Sequence, residues 1–300
     1  MHEVFRGCAT ALITPFREGG EVDYEALGRL IDFQLEGGID ALVAAGTTGE
    51  ASALKEEEQL QVIRFTVERC QGRVPVIAGT GSNCTAHAAA LSRQAQQAGA
   101  DALLVVTPYY NKTTQQGLVA HFSAIAGAVS LPVILYNVPG RTGMSIQPET
   151  LVQLCELPNI AGLKDATGDL GYAVRVRHLC GDRLALYSGN DDVAVPLLSV
   201  GGAGLISVLS NLLPRRTREM VAAFLEGRTE AAGREQVALK GLIDALFMET
   251  NPIPVKWAAQ ALGLCGGAVR LPLVEAQEGT RQRLLACMRQ LGLLQREGER

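Results

Sequence analysis

The sequence predicts an α/β protein built as a closed (β/α)8 TIM barrel with a C-terminal helical appendage, and three observations carry that reading. Eight short apolar runs recur between residues 8 and 210, apolar on both faces as parallel strands covered by helices must be. Amphipathic stretches separate them, with apolar residues at helical spacing and glycine near their ends. The alternation then stops, and from about residue 228 onward only helical patterns remain.

The runs, in order, are CATALIT (8–14), ALVAAG (41–46), VPVIAGT (74–80), ALLVVTP (102–108), PVILYNV (132–138), IAGLK (160–164), LALYSG (184–189) and GLISVLS (204–210). DYEALGRLIDFQLEGG (23–38) and TAHAAALSRQAQQAGA (85–100) are typical of the helices between them. Eight such units fit a closed barrel better than an open sheet, whose edge strands leave backbone groups unpaired; a doubly wound sheet is the alternative. We place the barrel at residues 1–227 and a helical domain at 228–300. The latter comprises TEAAGREQVALKGLIDALFM, IPVKWAAQALG and EGTRQRLLACMRQLGLL, expected to pack on the barrel or on a neighbouring subunit.

Composition narrows the functional classes. With 27 Lys+Arg against 31 Asp+Glu, a net charge of -4 and no long run of one sign, nothing offers an electrostatic grip on nucleic acid or a membrane surface. No stretch of about 18 uninterrupted apolar residues occurs, so a soluble, cytoplasmic protein is expected. Seven scattered cysteines without a CxxC pair fit reduced thiols. His2, His87, His121 and His178 lack HxH or HExxH spacing, so neither a metal nor another cofactor is expected.

In a barrel of this type the chemistry sits at the C-terminal ends of the strands. Those ends read GTTGE (46–50), GTGSN (79–83), TPYYN (107–111), YNVPGRTG (136–143), LKDATG (163–168) and SGND (188–191). Hydroxyls, tyrosines, Arg141 and Lys164 therefore converge on one mouth. No carboxylate pair for glycoside hydrolysis, no Ser-His-Asp set and no Walker sequence is found, and AGTGSN misses GxGxxG because Cys84 takes the last position. The glycines of VGGAG (200–204) suit either phosphate binding or close helix-to-strand packing, and packing is the simpler reading.

An unpaired ammonium at the end of a core strand is costly. Lys164 is therefore either neutralised by a partner such as Asp165 or kept as an amine. A desolvated lysine attacks ketones to give a Schiff base, which then acts as an electron sink for aldol chemistry on a 2-keto acid. Tyr136, one strand away, is placed to shuttle protons. Thr47 and Thr48, in a glycine-bracketed turn, suit a substrate carboxylate, and Arg141 suits a second one. Plainer roles stand beside these: Tyr136 and Tyr110 as rim residues, the threonines as a helix cap, Arg141 in a salt bridge.

GTTGE, TPYYN, YNVPGRTG, GLKDATG and NPIPVKWA (251–258) together resemble the dihydrodipicolinate synthase family, within the class I pyruvate aldolases that also include N-acetylneuraminate lyase. The resemblance spans nearly the whole chain, and NPIPVKWA looks like the synthase branch. It implies pyruvate and aspartate semialdehyde as substrates, in lysine and diaminopimelate biosynthesis, and commonly a homotetramer. Lys164 would form the imine. Tyr136 would relay protons with Thr47 and with Tyr110, the latter reaching across a subunit interface. Thr48 and the backbone of Ile206 would contact pyruvate, and Arg141 and Gly189 would receive the aldehyde. The regulatory pocket of lysine-inhibited relatives would lie near Ala51, Ser52, Glu56, Gln59, Asn83, His87 and Tyr109. Those relatives often carry histidine where this chain has Glu56 and glutamate where it has His87, so weak or absent inhibition by lysine is expected.

Overall fold

The computed structural model describes residues 3–294; His2 lies outside them. Along the chain run β1 (Gly7–Ala11), α1 (Tyr24–Glu36), β2 (Ala41–Ala44), α2 (Glu56–Cys70), β3 (Val76–Gly79), α3 (Thr85–Gln97), β4 (Ala102–Val106), α4 (Gln115–Ala126) and β5 (Val133–Asn137). Two helices follow before the next strand, α5 (Pro139–Thr142) and α6 (Pro148–Leu154). Then come β6 (Ile160–Asp165), α7 (Leu170–Cys180), β7 (Ala185–Ser188), α8 (Ala194–Ser199), β8 (Gly204–Ser207) and α9 (Pro214–Leu225). Three helices complete the chain: α10 (Thr229–Leu246), α11 (Ile253–Ala261) and α12 (Glu278–Gln290).

The eight strands are parallel and close in sequence order, β8 pairing with β1 through Gly7 and Gly204. Closure removes the sheet edges that an open arrangement would expose. The doubly wound alternative is thereby set aside. Most strands stop short of the apolar runs that predict them: β1 ends at Ala11 rather than at residue 14, and β8 at Ser207 rather than 210. The surplus apolar residues are buried but have turned out of the ladder to begin the loops above it.

Inside the barrel, small residues on β1 and β2 (Ala9, Ala11, Ala41) face larger ones on β5, β7 and β8 (Ile134, Tyr136, Tyr187, Ile206). These layers make the interior a packed core rather than a pore. Its lower end is stoppered by Phe5, which stacks on Tyr187 at 4.4 Å and accepts the tyrosine hydroxyl at its carbonyl, 2.8 Å away. The outer faces of the strands bury Leu42, Leu103, Leu135, Leu163 and Leu205 beneath the helices. Several helices open on the side-chain caps expected of acceptors at their first turn: Asp23 accepts from Ala26 N–H, Thr114 from Gly117 N–H and Asp169 from Tyr172 N–H.

The VGGAG segment is a packing device. A Cβ on Gly204 would stand 2.1 Å from the carbonyl oxygen of Gly7 across the β8–β1 seam. Beyond Gly227, α10 to α12 contribute Leu239, Leu242, Ile243, Val255, Ala258 and Leu284 to the same buried cluster that lines the outside of the barrel. The C-terminal helices thus lie against the barrel itself. Among the described residues, no helix is long and apolar enough to cross a membrane, and no group of three or more His, Cys, Asp or Glu is arranged to hold a metal ion.

Candidate active site

Strand register brings the two leading residues together. Tyr136 on β5 pairs with Lys164 on β6, which in turn pairs with Tyr187 on β7. Alternation along β6 points Lys164 into the barrel and sends Asp165 to the opposite face. There the Asp165 carboxylate accepts from the Thr167 N–H at 2.9 Å, and burial pushes its pKa up. The expected alternative, a Lys164–Asp165 ion pair, does not form; the strand's period of two separates them. Lys164, 6 % exposed, instead rests its Nζ over the Tyr136 ring, 4.2 Å from the centroid, within the range of a cation–π contact.

Gly189 makes room for this lysine. A Cβ there would lie 2.8 Å from Ala166 Cβ, 3.0 Å from the Asp165 carbonyl and 3.1 Å from Lys164 Cε. Ile206 is fully buried in the same interior layer as Tyr136. Nearby, the buried Asp191 accepts from the Ser207 hydroxyl and from the N–H groups of Val208 and Leu209. Burial raises its pKa, opposed by these hydrogen bonds and by the charge of Lys164.

A cavity of about 490 Å³ opens over the barrel beside this pair, lined by Thr47, Tyr136 and Arg141. The same cavity is lined by Ala51, Ser52, Glu56, Gln59, His87 and Tyr109, so six of the seven residues of the suggested effector pocket are continuous with the mouth of the barrel. Asn83 does not line it; its carbonyl accepts from Asn111 Nδ2. Glu56 and His87 face each other, Oε2 to Nδ1 at 3.5 Å. Gln59 is spent on the backbone, donating to the Gly79 carbonyl at 2.8 Å.

Tyr110 stands apart from this cluster. It sits at φ +65°, 93 % exposed, and does not line the cavity of its own chain. A non-glycine residue in left-handed backbone is uncommon and strained, and here it holds an aromatic side chain out in solvent.

Several residues escape the reading of the sequence. Asn251, in the segment leading to α11, donates from Nδ2 to Thr48 Oγ1 at 2.9 Å and accepts Arg141 Nη2 at its carbonyl at 3.0 Å. It therefore joins the two residues assigned to separate carboxylates. Arg141 is bound to this carbonyl and, among the described residues, to no carboxylate, so the salt-bridge alternative finds no support. Glu50, at the end of GTTGE, is buried against Lys256 of α11 at 2.6 Å. The sequence signals were present, since Asn251 and Lys256 both lie in NPIPVKWA, but nothing local shows what they touch.

Fold and site define a barrel enzyme of the class I aldolase type, with a buried lysine at a strand end beside a tyrosine and a hydroxyl-rich turn. Residues 4–291 match the model of the dihydrodipicolinate synthetase family. The chain is 52 % identical over 290 residues to a 4-hydroxy-tetrahydrodipicolinate synthase of Caldicellulosiruptor saccharolyticus, covering 97 % of this chain and 98 % of that one. A synthase of the same name from a Thermoanaerobacter species is 50 % identical over 292 residues, covering 97 % and 98 %. Among solved structures, the dihydrodipicolinate synthase of Thermotoga maritima superposes with a TM-score of 0.95 at 42 % identity, covering 97 % of this chain and all of that one. The chain belongs to the dihydrodipicolinate synthetase family.

Proposed function

We propose that this barrel condenses pyruvate with L-aspartate 4-semialdehyde through a Schiff base on Lys164, in the biosynthesis of lysine and diaminopimelate. The observation that carries the reading is the buried Lys164 amine, in no ion pair with a carboxylate among the described residues and in contact with Tyr136. Attack of the amine on the keto carbon expels water and leaves an imine; loss of a methyl proton gives an enamine, whose carbon bonds to the aldehyde. Tyr136 is the proton carrier beside the imine, with Thr47 and Tyr110 as its partners. Thr48 and the Ile206 backbone hold pyruvate, while Arg141 and Gly189 receive the aldehyde substrate.

The same proposal includes a homotetramer in the cytoplasm. Tyr110 supports the assembly, because it is 93 % exposed and does not line the cavity of its own chain. The free thiols of all seven cysteines support the location.

Borohydride reduction in the presence of pyruvate tests the imine: a mass increment on the Lys164 peptide is expected, and an unmodified peptide overturns it in favour of a non-catalytic acid-binding barrel. Pyruvate consumption with aspartate semialdehyde, run beside a panel of sugar aldehydes, tests the second substrate. Preference for a sugar aldehyde would transfer the imine chemistry to another aldolase branch.

A further inference from the structure

The turn that carries Thr47 and Thr48 is held in an unusual backbone. Ala45 and Glu50, at its two ends, both adopt left-handed conformations, with φ of +51° and +55°. Each costs on the order of 1 kcal/mol for a residue with a side chain, so the surrounding structure must impose them. Within the turn, Glu50 N–H reaches the Thr47 carbonyl at 3.1 Å and Ala51 N–H reaches Gly46 at 3.2 Å. From β1's following loop, Thr14 donates to the Gly49 carbonyl at 2.7 Å.

The remaining restraints come from more than 200 residues away. Lys256 Nζ lies 2.6 Å from Glu50 Oε1, with side-chain exposures of 0 % and 1 %, and the N–H of Arg270 donates to Glu50 Oε2 at 2.9 Å. Both cations lie over the Phe16 ring, Lys256 Nζ 4.0 Å and the Arg270 guanidinium carbon 4.4 Å from its centroid. The Arg270 side chain then grips the start of the next helix through both oxygens of Glu58, at 2.6 and 2.8 Å, and the Ala53 carbonyl. Asn251 completes the set on Thr48 Oγ1.

A fully buried ion pair is a poor source of net stability, because desolvating two charges offsets most of their attraction. Burial lowers the pKa of Lys256 even with Glu50 beside it. What such a pair does supply is a fixed separation between two backbones. Here it ties the left-handed end of the threonine turn to α11.

We propose that Glu50 and Lys256 are positioning residues that set the orientation of the Thr47–Thr48 turn toward the carboxylate of the 2-keto acid. This deepens the proposed function and rests on it. The C-terminal helices are then part of substrate binding, reaching the keto acid through the turn without touching it. Loss of the pair relaxes the turn and weakens keto-acid binding, while Lys164 and Tyr136, held by β5 and β6, keep their relation.

The test is the paired variant Glu50→Gln/Lys256→Met in the full-length protein, which removes both charges together and leaves no buried ion unpaired. With a native circular dichroism spectrum, it is expected to raise the pyruvate KM about tenfold, the loss of roughly one well-placed hydrogen bond, with a smaller fall in kcat, since Thr47 on the same turn also partners Tyr136, and the aldehyde KM changed less than twofold. A purely structural role would lower the yield of active protein and leave the pyruvate KM unmoved, which overturns the proposal. If the paired variant does not fold, Glu50→Asp keeps the charge and draws the turn toward α11 by one methylene; a wild-type pyruvate KM there overturns it equally. Borohydride trapping of the unmodified protein separates the two levels. An untrapped parent enzyme defeats the imine reading, whereas a trapped parent with an unchanged variant KM defeats the positioning role alone.

Discussion

Lys164 and Tyr136 are partners across the β5–β6 ladder, and the lysine Nζ lies over the face of the tyrosine ring, 4.2 Å from its centre. The contact places the amine against an apolar, electron-rich surface, and Tyr136 also lines the cavity. An amine and a phenol fixed by the same pair of strands keep their geometry without help from loops.

From this relation, Lys164→Ala is expected to abolish the borohydride-trapped adduct and the reaction with it. Tyr136→Phe retains the ring face, so it should still be trapped by pyruvate while kcat falls by about 10²- to 10⁴-fold. Thermal melting of both variants within a few degrees of the parent would confirm that chemistry and not folding was lost.

Gly189→Ala probes the space beside the lysine. The added methyl meets Ala166, the Asp165 carbonyl and Lys164 Cε, and the lysine stem is the softest of the three. Displacement of the amine should cut kcat by roughly tenfold to a hundredfold with the adduct still formed on reduction. A fully active Gly189→Ala enzyme would show that the lysine tolerates the shift.

Arg141→Lys removes a planar fork and leaves a point charge. Since Arg141 lines the mouth and is anchored on the Asn251 carbonyl, the aldehyde KM should rise more than about tenfold with little change in that of pyruvate. Equal rises in both would assign the arginine to general stability of the turn instead.

Acid should weaken the fold in two stages. His121 is buried, with Nδ1 beside the Thr85 hydroxyl and Nε2 unpartnered, and burial lowers its pKa. Below its ordinary value near 6.5 the unfolded chain binds a proton that the folded one refuses, so stability falls as pH drops through about 6.5. Glu58, held down to about 2 chiefly by its hydrogen bond to Arg270, contributes stability above pH 4.5 that is lost as pH falls toward 2. Urea midpoints between pH 7.5 and 5 should therefore decline in the parent and flatten in His121→Gln; identical slopes would remove His121 from the account.

L-lysine at low millimolar concentration is expected to leave the initial rate nearly unchanged. The carboxylate of Glu56 and the imidazole of His87 face each other at 3.5 Å, so a cationic effector must compete with His87 for Glu56. A sharp loss of rate in that range would show that the pair still binds it.

Much of this protein can be read from its sequence because the relevant signals are local. Eight apolar runs alternating with amphipathic ones specify strand and helix by their periods, and closure follows from their number. The residues that end the runs had to converge on one mouth, and Thr47, Tyr136 and Arg141 do line one cavity. Other features belong to the tertiary structure alone. Tyr110 is 93 % exposed while its neighbour Tyr109 lines the cavity. Asn251, Lys256 and Arg270 reach the Thr47–Thr48 turn across more than 200 residues of chain. Periodicity encodes which side of an element is buried, but the partner a buried polar group finds is decided only when distant segments pack.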